Sequence, residues 1–244
     1  MSEIDDRVRT LGPVSVPSAA EVVVAQVTRA IELGRFLPDD QLPPEREFAV
    51  QLGVSRMTLR AALRELEAAG LLKRVRRGSG GGALVINAGT LGATDAEHRA
   101  MRKQVEEVFE FRIACESVTA ELAARRRTDA HLAQLEQTIE SLGSELTSGR
   151  FRAADNAFHL TVADAAGNPW LRRAVEDVRA AIFAPLDAMS FELVVASAVE
   201  HHRLILDAIA AGDADRARER MIDHIHEAKQ ELLVVVAIGE QPSR

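Results

Sequence analysis

The stretch 42–71, LPPEREFAVQLGVSRMTLRAALRELEAAGL, constrains the fold most, because it carries the signals of two short helices joined by a tight turn. Two prolines precede the first helix, and a proline at the first helical position loses only an N–H that would be unpaired anyway. Gly53 permits the left-handed backbone of a sharp turn, and Ser55 is a good N-cap for the second helix. The pattern predicts a helix-turn-helix.

The second of these helices has an apolar face and a basic flank. Its apolar residues recur at i, i+3, i+4 and i+7, which predicts one buried face, formed by Leu59, Ala62, Leu63 and Leu66. Arg56, Arg60 and Arg64 recur every four residues and align along another side. In a helix-turn-helix the second helix enters the DNA major groove, and its first turns touch base edges. The alternative is a helical hairpin with an ordinary solvated basic face.

The charge of the chain is unevenly distributed, which bears on this choice. The net charge of −7 by itself argues against a nucleic-acid partner. However, residues 41–77 hold eight basic and four acidic side chains, so the positive charge is local. A local positive excess is what a DNA-contacting face requires. The acidic second half would be repelled by phosphate and must have another role.

The segment LLKRVRRGSGGGALVIN follows directly and has the pattern of a β-hairpin. Two short, partly alternating runs, Leu72–Arg76 and Ala83–Ile86, flank a glycine-rich turn. A hairpin placed after a recognition helix is the wing of a winged helix. Arg76 and Arg77 would lie at its tip beside glycines, which let the backbone approach phosphate or a minor groove closely. The glycine run could instead be only a flexible loop.

The rest of the chain divides by composition. Residues 1–17 are polar and predicted to be flexible, and Ser18 caps a helix to about Leu33. The winged helix-turn-helix domain is predicted at 18–87, a linker at 88–97, an all-α antiparallel bundle at 98–237 and a tail at 238–244. The chain is therefore expected to be mainly α. The bundle helices are predicted at 98–126, 129–147, 150–166, 169–187, 190–211 and 213–237.

Composition excludes several classes of protein. No apolar run of about 18 residues or more occurs, so no membrane span is expected. The N-terminus is acidic and lacks the apolar core of a secretion signal. Cys115 is the single cysteine, which excludes an internal disulfide and a cysteine-clustered zinc site. A cytoplasmic protein is expected.

One carboxylate and three imidazoles fall on apolar helix faces of the second half. Asp155 and His159 are one turn apart on the stripe of Phe151 and Phe158, and His202 and His224 each lie on a stripe of a later helix. A buried ionised carboxylate is costly unless it is paired or metal-bound. The four residues together therefore predict a divalent metal site. Nitrogen and oxygen ligands without thiolate suit Zn, Ni or Mn, and the alternative is a set of hydrogen-bonded core histidines.

The residues from about Val16 to Ile86 resemble the winged helix-turn-helix domain of the GntR family of bacterial transcription regulators. The matching stretches are LPPEREFA, LGVSRMTLRAALRELEAAGL and RRGSGGG. The resemblance implies that Arg46, Arg56 and Arg60 contact DNA, with Thr58 nearby and Gly80 at the wing tip. With Ser55 and Arg77 these residues form the predicted DNA-binding set. Pro44 stands where the family usually has a capping serine, a loss of about 1 kcal/mol.

The second half, from about His98 to Leu233, is similar to the effector-binding FCD domain of the FadR subfamily of these regulators. The matching stretches are EFRIACESVTAELAA, DNAFHLTVADAAGN, HRLILDAIAAGD and MIDHI. The resemblance implies a helical bundle that holds a metal through the same four residues, and an effector whose carboxylate reaches the metal. Arg112 lies on a stripe with Phe111 and Cys115. It is either the second anchor for this effector or a structural ion-pair partner.

Three functions are compatible with these observations. The first is a homodimeric regulator, most simply a repressor, whose binding to a palindromic operator is controlled by a small carboxylate metabolite. The second is a metal-dependent hydrolase in which the Asp/His centre activates water. Against an enzyme, all the candidate ligands are used by the metal and no separate buried acid or base is evident. The third is a pure metal sensor.

Overall fold

The computed structural model describes residues 16–75, 82–85, 95–144, 147–182 and 191–239. Its first part consists of three helices followed by two strands. The helices and strands are, in chain order, α1 (Ala19–Glu32), α2 (Glu45–Gln51), α3 (Arg56–Ala68), β1 (Leu72–Val75) and β2 (Gly82–Val85). The strands pair antiparallel with Leu72 opposite Val85. This confirms the mainly helical fold with a small hairpin after the helix-turn-helix.

The helix ends of this part follow from their capping residues. The Ser18 side chain accepts from the Glu21 backbone N–H, and the Glu21 side chain accepts from the Ser18 N–H, so that α1 begins with a capping box. Pro44 stands at the N-cap of α2 and makes no side-chain cap bond. Gly53 has φ +66° and turns the chain between α2 and α3. Ser55 then caps α3.

A hydrophobic core joins the first three helices and the hairpin. The predicted stripe of α3 is fully buried and packs against the inner face of α1 and against both strands. A bridge between Gln41 and Leu84 adds the connecting segment to the edge of the hairpin. The core residues include Val23, Val27, Ile31, Phe48, Leu59, Leu63, Leu66, Leu72 and Val85.

The second part is built from six long helices in the described ranges. They are α4 (Asp95–Arg126), α5 (Asp129–Gly143), α6 (Ser148–Ala165), α7 (Pro169–Ala181), α8 (Phe191–Ala211) and α9 (Ala214–Gly239). The helix predicted at 129–147 ends four residues early, because the Thr147 side chain accepts from the Arg150 backbone N–H and starts α6 instead. The end of the helix predicted at 169–187 lies partly outside the described residues, since α7 reaches Ala181.

Helix α4 runs through the middle of this bundle. It packs against α6, α7, α8 and most extensively α9, and its buried residues join those of the surrounding helices in one core. That core includes Phe109, Ala120, Leu135, Phe158, Val162, Ile205, Ile209, Met221 and Ile225. The middle of the bundle thereby brings the inner faces of α4, α6, α8 and α9 close together.

The two parts contact each other through α6 and α7. Gly34, which ends α1 with φ +69°, lies against α6, where an added Cβ would come within 3.0 Å of the Ala153 backbone. Arg29 of α1 forms an ion pair with Asp177 of α7 at 2.6 Å, and Arg35 reaches Glu176 at 3.1 Å. Helices α6 and α7 thus each contact both the first part and other helices of the bundle. Among the described helices, none is long and apolar enough to cross a membrane.

Candidate metal centre and DNA-binding surface

The four residues selected by the helical stripes meet inside the bundle. Helix α6 supplies Asp155 and His159, α8 supplies His202 and α9 supplies His224. One ligand atom from each lies within 4.8 Å of the other three. The Nε2 atoms of His159 and His224 are 3.1 Å apart, and Asp155 Oδ1 lies 3.4 Å from His202 Nε2 and 3.8 Å from His159 Nε2. His226, in contrast, is exposed on the outer face of α9.

The spacing of these atoms fits a single divalent ion. Ligand atoms 2.0–2.2 Å from a common ion lie about 3.0 Å apart at right angles and about 3.4 Å apart in a tetrahedron. In the described part of the chain, neither ring nitrogen of His202 makes a hydrogen bond, although the side chain is fully buried. Buried polar atoms normally have a partner. An ion held between the four side chains would supply it.

The protonation states of the cluster also suit a cation. Burial lowers the pKa of His202 to about 4 and lowers the pKa values of His159 and His224 well below 6.5, so that all three imidazoles are neutral. Burial raises the pKa of Asp155, but the Arg179 guanidinium and the nearby imidazoles outweigh it and bring the value to about 2. Neutral imidazoles and an ionised carboxylate are the forms that coordinate metal ions.

A buried glutamate contacts one of the candidate ligands at its other ring nitrogen. Glu116 of α4 places Oε2 2.5 Å from Nδ1 of His159 and accepts a hydrogen bond from Arg112 at Oε1, at 2.7 Å. The two atoms are within ion-pair distance, although neither makes a hydrogen bond among the described residues. A proton on Nδ1 of His159 would leave the Nε2 lone pair for a metal ion, an arrangement common around metal-bound histidines. Glu116 was not among the residues predicted from the sequence. Its position one turn after Arg112, on the same stripe, is the signal that could have identified it.

Arg179 is a second residue that was not predicted from the sequence. It is 2% exposed, donates to the carboxylate of Asp155, and donates from Nε to Asn156 Oδ1 at 2.8 Å. It stands on the inner face of α7, one turn after Val175. A charged residue at a buried position of an amphipathic helix was the available signal, although its partner could not be read from the sequence.

A pocket opens next to the centre and reaches the surface of the bundle. Its cavity volume is about 40 Å³, and it is bordered by Asp155, His224, Arg112 and Arg179 at one side. Arg112 is 2% exposed, and its Nη2 atom has no hydrogen-bond partner among the described residues. The apolar wall of the pocket consists of Phe109, Phe151, Ile182, Val194, Ala198 and Leu232. An apolar cleft with a few convergent polar groups is the usual form of a small-molecule site.

The predicted DNA-binding residues lie on the outer side of the helix-turn-helix. Arg46 on α2 and Arg56 and Arg60 on α3 are exposed, and Thr58 is half-buried. Ser55 accepts from the Thr58 backbone N–H at 3.0 Å, which fixes the start of α3. Arg60 also donates to Glu45 of α2 at 2.7 Å, so its guanidinium is held over the turn between the helices. Arg77 and Gly80 lie outside the described residues.

Met57 adds an apolar element to this surface. It is 78% exposed at the first turn of α3, next to Arg56. Apolar contacts with thymine methyl groups are one way in which side chains read the major groove. Met57 was not among the residues predicted from the sequence. Its position outside the buried stripe of α3 was the available signal.

Two family models match the two parts of the chain. The model described as bacterial regulatory proteins, gntR family, matches residues 19–81, and the FCD domain model matches residues 107–227. The second match contains all four candidate ligands, together with Arg112, Glu116 and Arg179. The first contains every predicted DNA-binding residue.

Named regulators match along most of their length. The HTH-type transcriptional regulator LutR of Bacillus subtilis is 29% identical over 80% of this chain and 92% of its own. The Uxu operon transcriptional regulator of Escherichia coli is 31% identical over 81% of this chain and 80% of its own. Among solved structures, E. coli McbR/YncC has the same fold at 19% identity, with a TM-score of 0.55 over 90% of this chain and 99% of its own.

Proposed function

This chain belongs to the GntR family and is a transcriptional regulator with an FCD domain, and we propose that it represses transcription until a small carboxylate binds at a divalent metal ion in the bundle. The observation that carries the proposal is the cluster of Asp155, His159, His202 and His224 at the side of a pocket. Arg112, which is shielded from bulk solvent, also lines this pocket. Pocket and cluster are continuous, so one small molecule can contact both.

The donor set supports a divalent ion with room for an exogenous ligand. When bound, such an ion would supply a Lewis-acidic positive centre for a carboxylate oxygen. Four protein ligands leave positions free in an octahedral ion, and Zn, Ni and Mn all accept this set of nitrogen and oxygen donors. The chain's own contribution is to hold the ligands neutral or anionic, to orient His159 through Glu116, and to exclude most of the water by burial.

Arg112 supports a carboxylate as the part of the effector that binds there. Its Nε is engaged by Glu116 while Nη2 is left without a described partner. A guanidinium matches a carboxylate geometrically and binds it with charge-assisted hydrogen bonds. Arg112 thus serves as the second anchor for the carboxylate, and its ion pair with Glu116 holds it in place.

The route from this site to the DNA-binding part runs through two helices. Helix α6 carries Asp155 and His159 and is contacted by Gly34, whereas α7 carries Arg179 and pairs through Glu176 and Asp177 with Arg35 and Arg29. A small displacement of either helix on effector binding would therefore move α1, whose inner face packs on α3. We propose that this displacement alters the spacing of two α3 helices in a homodimer bound to a palindromic site.

The proposal is tested by measuring operator binding directly. The full chain, loaded with Zn, Ni or Mn in turn, is titrated against a fluorescent duplex from its own upstream region, with and without small carboxylic acids. At least one acid should weaken binding about fivefold or more, as is typical of an allosteric coupling, and EDTA should abolish this response. Release by EDTA alone, with no acid effective, would establish the pure metal sensor instead.

A further inference from the structure

The pocket continues away from the metal centre to a second polar point. Along α9 its lining residues are His224, Ala228 and Glu231, which share one face at spacings of four and seven residues. Seven residues of an α-helix advance about 10 Å. Glu231 therefore borders the pocket two helical turns beyond the metal ligand His224.

Ser197 of α8 lines the same part of the pocket. Glu231 is half-buried, and burial raises its pKa, while a hydrogen bond from Ser197 lowers it and Glu227 raises it further. Among the ion pairs of the described residues, none involves Glu231. An acidic group that is partly withdrawn from water and not paired with a cation favours a ligand that brings a hydrogen-bond donor or a positive charge.

The two ends of the pocket therefore differ in charge. Arg112 and Arg179 border the end at the metal ligands, Glu231 and Ser197 border the other end, and Phe151, Val194 and Ala198 belong to the apolar wall. A ligand complementary to the whole pocket would have an anionic group at one end, a short apolar middle and a hydrogen-bond donor at the other end. Placing the donor at the metal end would set it beside two guanidinium groups.

We propose that Glu231, supported by Ser197, determines effector specificity by binding a hydroxyl or ammonium group at the end of the effector opposite its carboxylate. This inference rests on the proposed function, since it assumes that the carboxylate lies at the metal and Arg112. It adds that simple alkanoates are weak effectors and that dicarboxylates are rejected by the charge of Glu231.

The geometry also limits the length of the effector. Of the roughly 10 Å between the two turns of α9, a metal–oxygen bond takes about 2 Å and a hydrogen bond to Glu231 about 3 Å. The remaining distance of about 5–6 Å, between the carboxylate oxygen and the donor, corresponds to about four to five bonds and hence to a chain of about three to four carbons including the carboxylate, since each bond advances about 1.25 Å along an extended chain.

The test compares matched acids by calorimetry on the metal-loaded full chain. For chains of three and of four carbons, the alkanoate, the ω-hydroxy acid, the ω-amino acid and the dicarboxylate are titrated. At one of these lengths the hydroxy or amino acid should bind at least about tenfold more tightly than the alkanoate, because hydrogen bonds to a charged group in such a site are strong. The dicarboxylate should bind more weakly than the alkanoate.

Variants locate the effect at the far end of the pocket. Glu231→Gln should reduce the preference for the amino acid to below about threefold and leave the alkanoate affinity and the bound metal unchanged, and Ser197→Ala should act in the same direction. Glu227→Gln is the matched control, since Glu227 is an exposed acid one turn earlier, and it should keep the wild-type preference.

The outcomes separate this inference from the function on which it rests. Metal-dependent binding of alkanoates with no preference at any length overturns the role of Glu231 and leaves the carboxylate site standing. The role of Glu231 is likewise overturned if Glu231→Gln weakens the binding of all four acids equally. If none of the acids binds the metal-loaded chain, both proposals are overturned.

Discussion

Arg179 donates to the carboxylate of Asp155 in the interior of the bundle, where the two side chains are 2% and 11% exposed. Asp155 is the only anionic member of the ligand cluster, and Arg179 shares α7 with the acidic residues that contact the DNA-binding part. The ion pair thus links the candidate metal centre to the helix that touches α1. It also keeps Asp155 ionised in a place where burial alone would favour its protonation.

Replacing Arg179 should lower the stability of the metal-free chain. Arg179→Met leaves Asp155 buried without its guanidinium partner, and we expect the free energy of unfolding to fall by about 3–5 kcal/mol. A divalent ion then becomes the main positive charge beside Asp155, so added metal should raise the stability of the variant more than that of the wild type. Urea unfolding with EDTA and with saturating metal measures both effects.

Arg173→Met is the matched control for this experiment. Arg173 lies on the outer face of α7, is 80% exposed and pairs only loosely with Asp177 at 3.9 Å, so its loss should change stability by less than about 1 kcal/mol. If Arg179→Met were no more destabilising than this control, the buried pair would not be a significant part of the structure.

The recognition helix gives a second prediction. Arg56→Ala should weaken binding to the operator by about 1–3 kcal/mol if the arginine reads a base, and Met57→Ala should lose affinity mainly for sites with thymine at the contacted position. Arg64→Ala, two turns further along α3 and also exposed, should have a smaller and sequence-independent effect. Fluorescence anisotropy with operator and scrambled duplexes distinguishes these cases.

Arg60 requires a separate comparison because Glu45 already engages it. If Arg60 must leave Glu45 to reach DNA, Glu45→Gln should preserve or improve operator affinity, whereas Arg60→Ala should reduce it. If Glu45 instead holds Arg60 in the position that DNA requires, Glu45→Gln should weaken operator binding together with Arg60→Ala. The same anisotropy titration decides between the two.

The ion pair between Arg29 and Asp177 gives a third prediction, for the coupling of the two parts. Reversing one charge, in Arg29→Glu, places like charges together and should reduce the change in operator affinity that an effector produces. Asp177→Arg in the same chain restores opposite charges and should recover part of the response. The measured quantity is the ratio of operator Kd values with and without a saturating acid. A response unaffected by either variant would exclude this contact from the coupling.

Much of the fold and the clustering of the four candidate ligands could be predicted, because both depend on short-range periodicity. Asp155 and His159 lie one turn apart on a helix, and the stripe that contains them faces inward whatever the neighbouring helices are. Arg179 and Glu116 could not be assigned in the same way. Their roles depend on which faces of α4, α6 and α7 meet, and this is set by tertiary packing between residues far apart in the chain.

The boundary between α5 and α6 shows the same limit on a smaller scale. Glu145 and Leu146 are good helix formers, and the sequence therefore predicts that the helix beginning at 129 extends to 147. In the structure Thr147 caps α6, and α5 ends at Gly143. Helix propensity favoured a longer α5, whereas the Thr147 cap starts a new helix.

The buried histidines predict how stability depends on pH. Because the pKa of His202 falls from 6.5 in the unfolded chain to about 4 in the folded one, the unfolded chain binds more protons than the folded chain between these values. Stability is therefore fully present above about pH 6.5 and is lost as the pH falls toward 4. His159 and His224 act in the same direction.

Thermal unfolding of the metal-free chain in EDTA, from pH 7 to pH 4.5, measures this dependence. His202→Gln should flatten the fall in Tm across this range, since one of the groups that must protonate on unfolding has been removed. His226→Gln, at an exposed position of α9, should leave the slope as in the wild type. Equal slopes in all three chains would contradict the neutral, buried state of His202.

The thiol of Cys115 gives a last prediction, because it sits in the contact between α4 and α7. Burial raises its pKa to about 12, and the neighbouring Glu116 contributes to the same shift. The side chain packs against Ala163, Val175 and Val178. At pH 8 only about one thiol in ten thousand would be ionised, and the thiolate is the reactive form.

Iodoacetamide should therefore label Cys115 only when α7 separates from α4 or the bundle unfolds. The labelling rate followed by mass spectrometry at pH 8 should be far slower in the folded chain than in urea, where the thiol has its ordinary pKa. Metal should slow it further, because an ion held by Asp155 stabilises the closed bundle, and Arg179→Met should accelerate it. Rapid labelling of the folded, metal-loaded chain would show that α7 opens readily, and such a mobile helix could not hold α1 in a defined position.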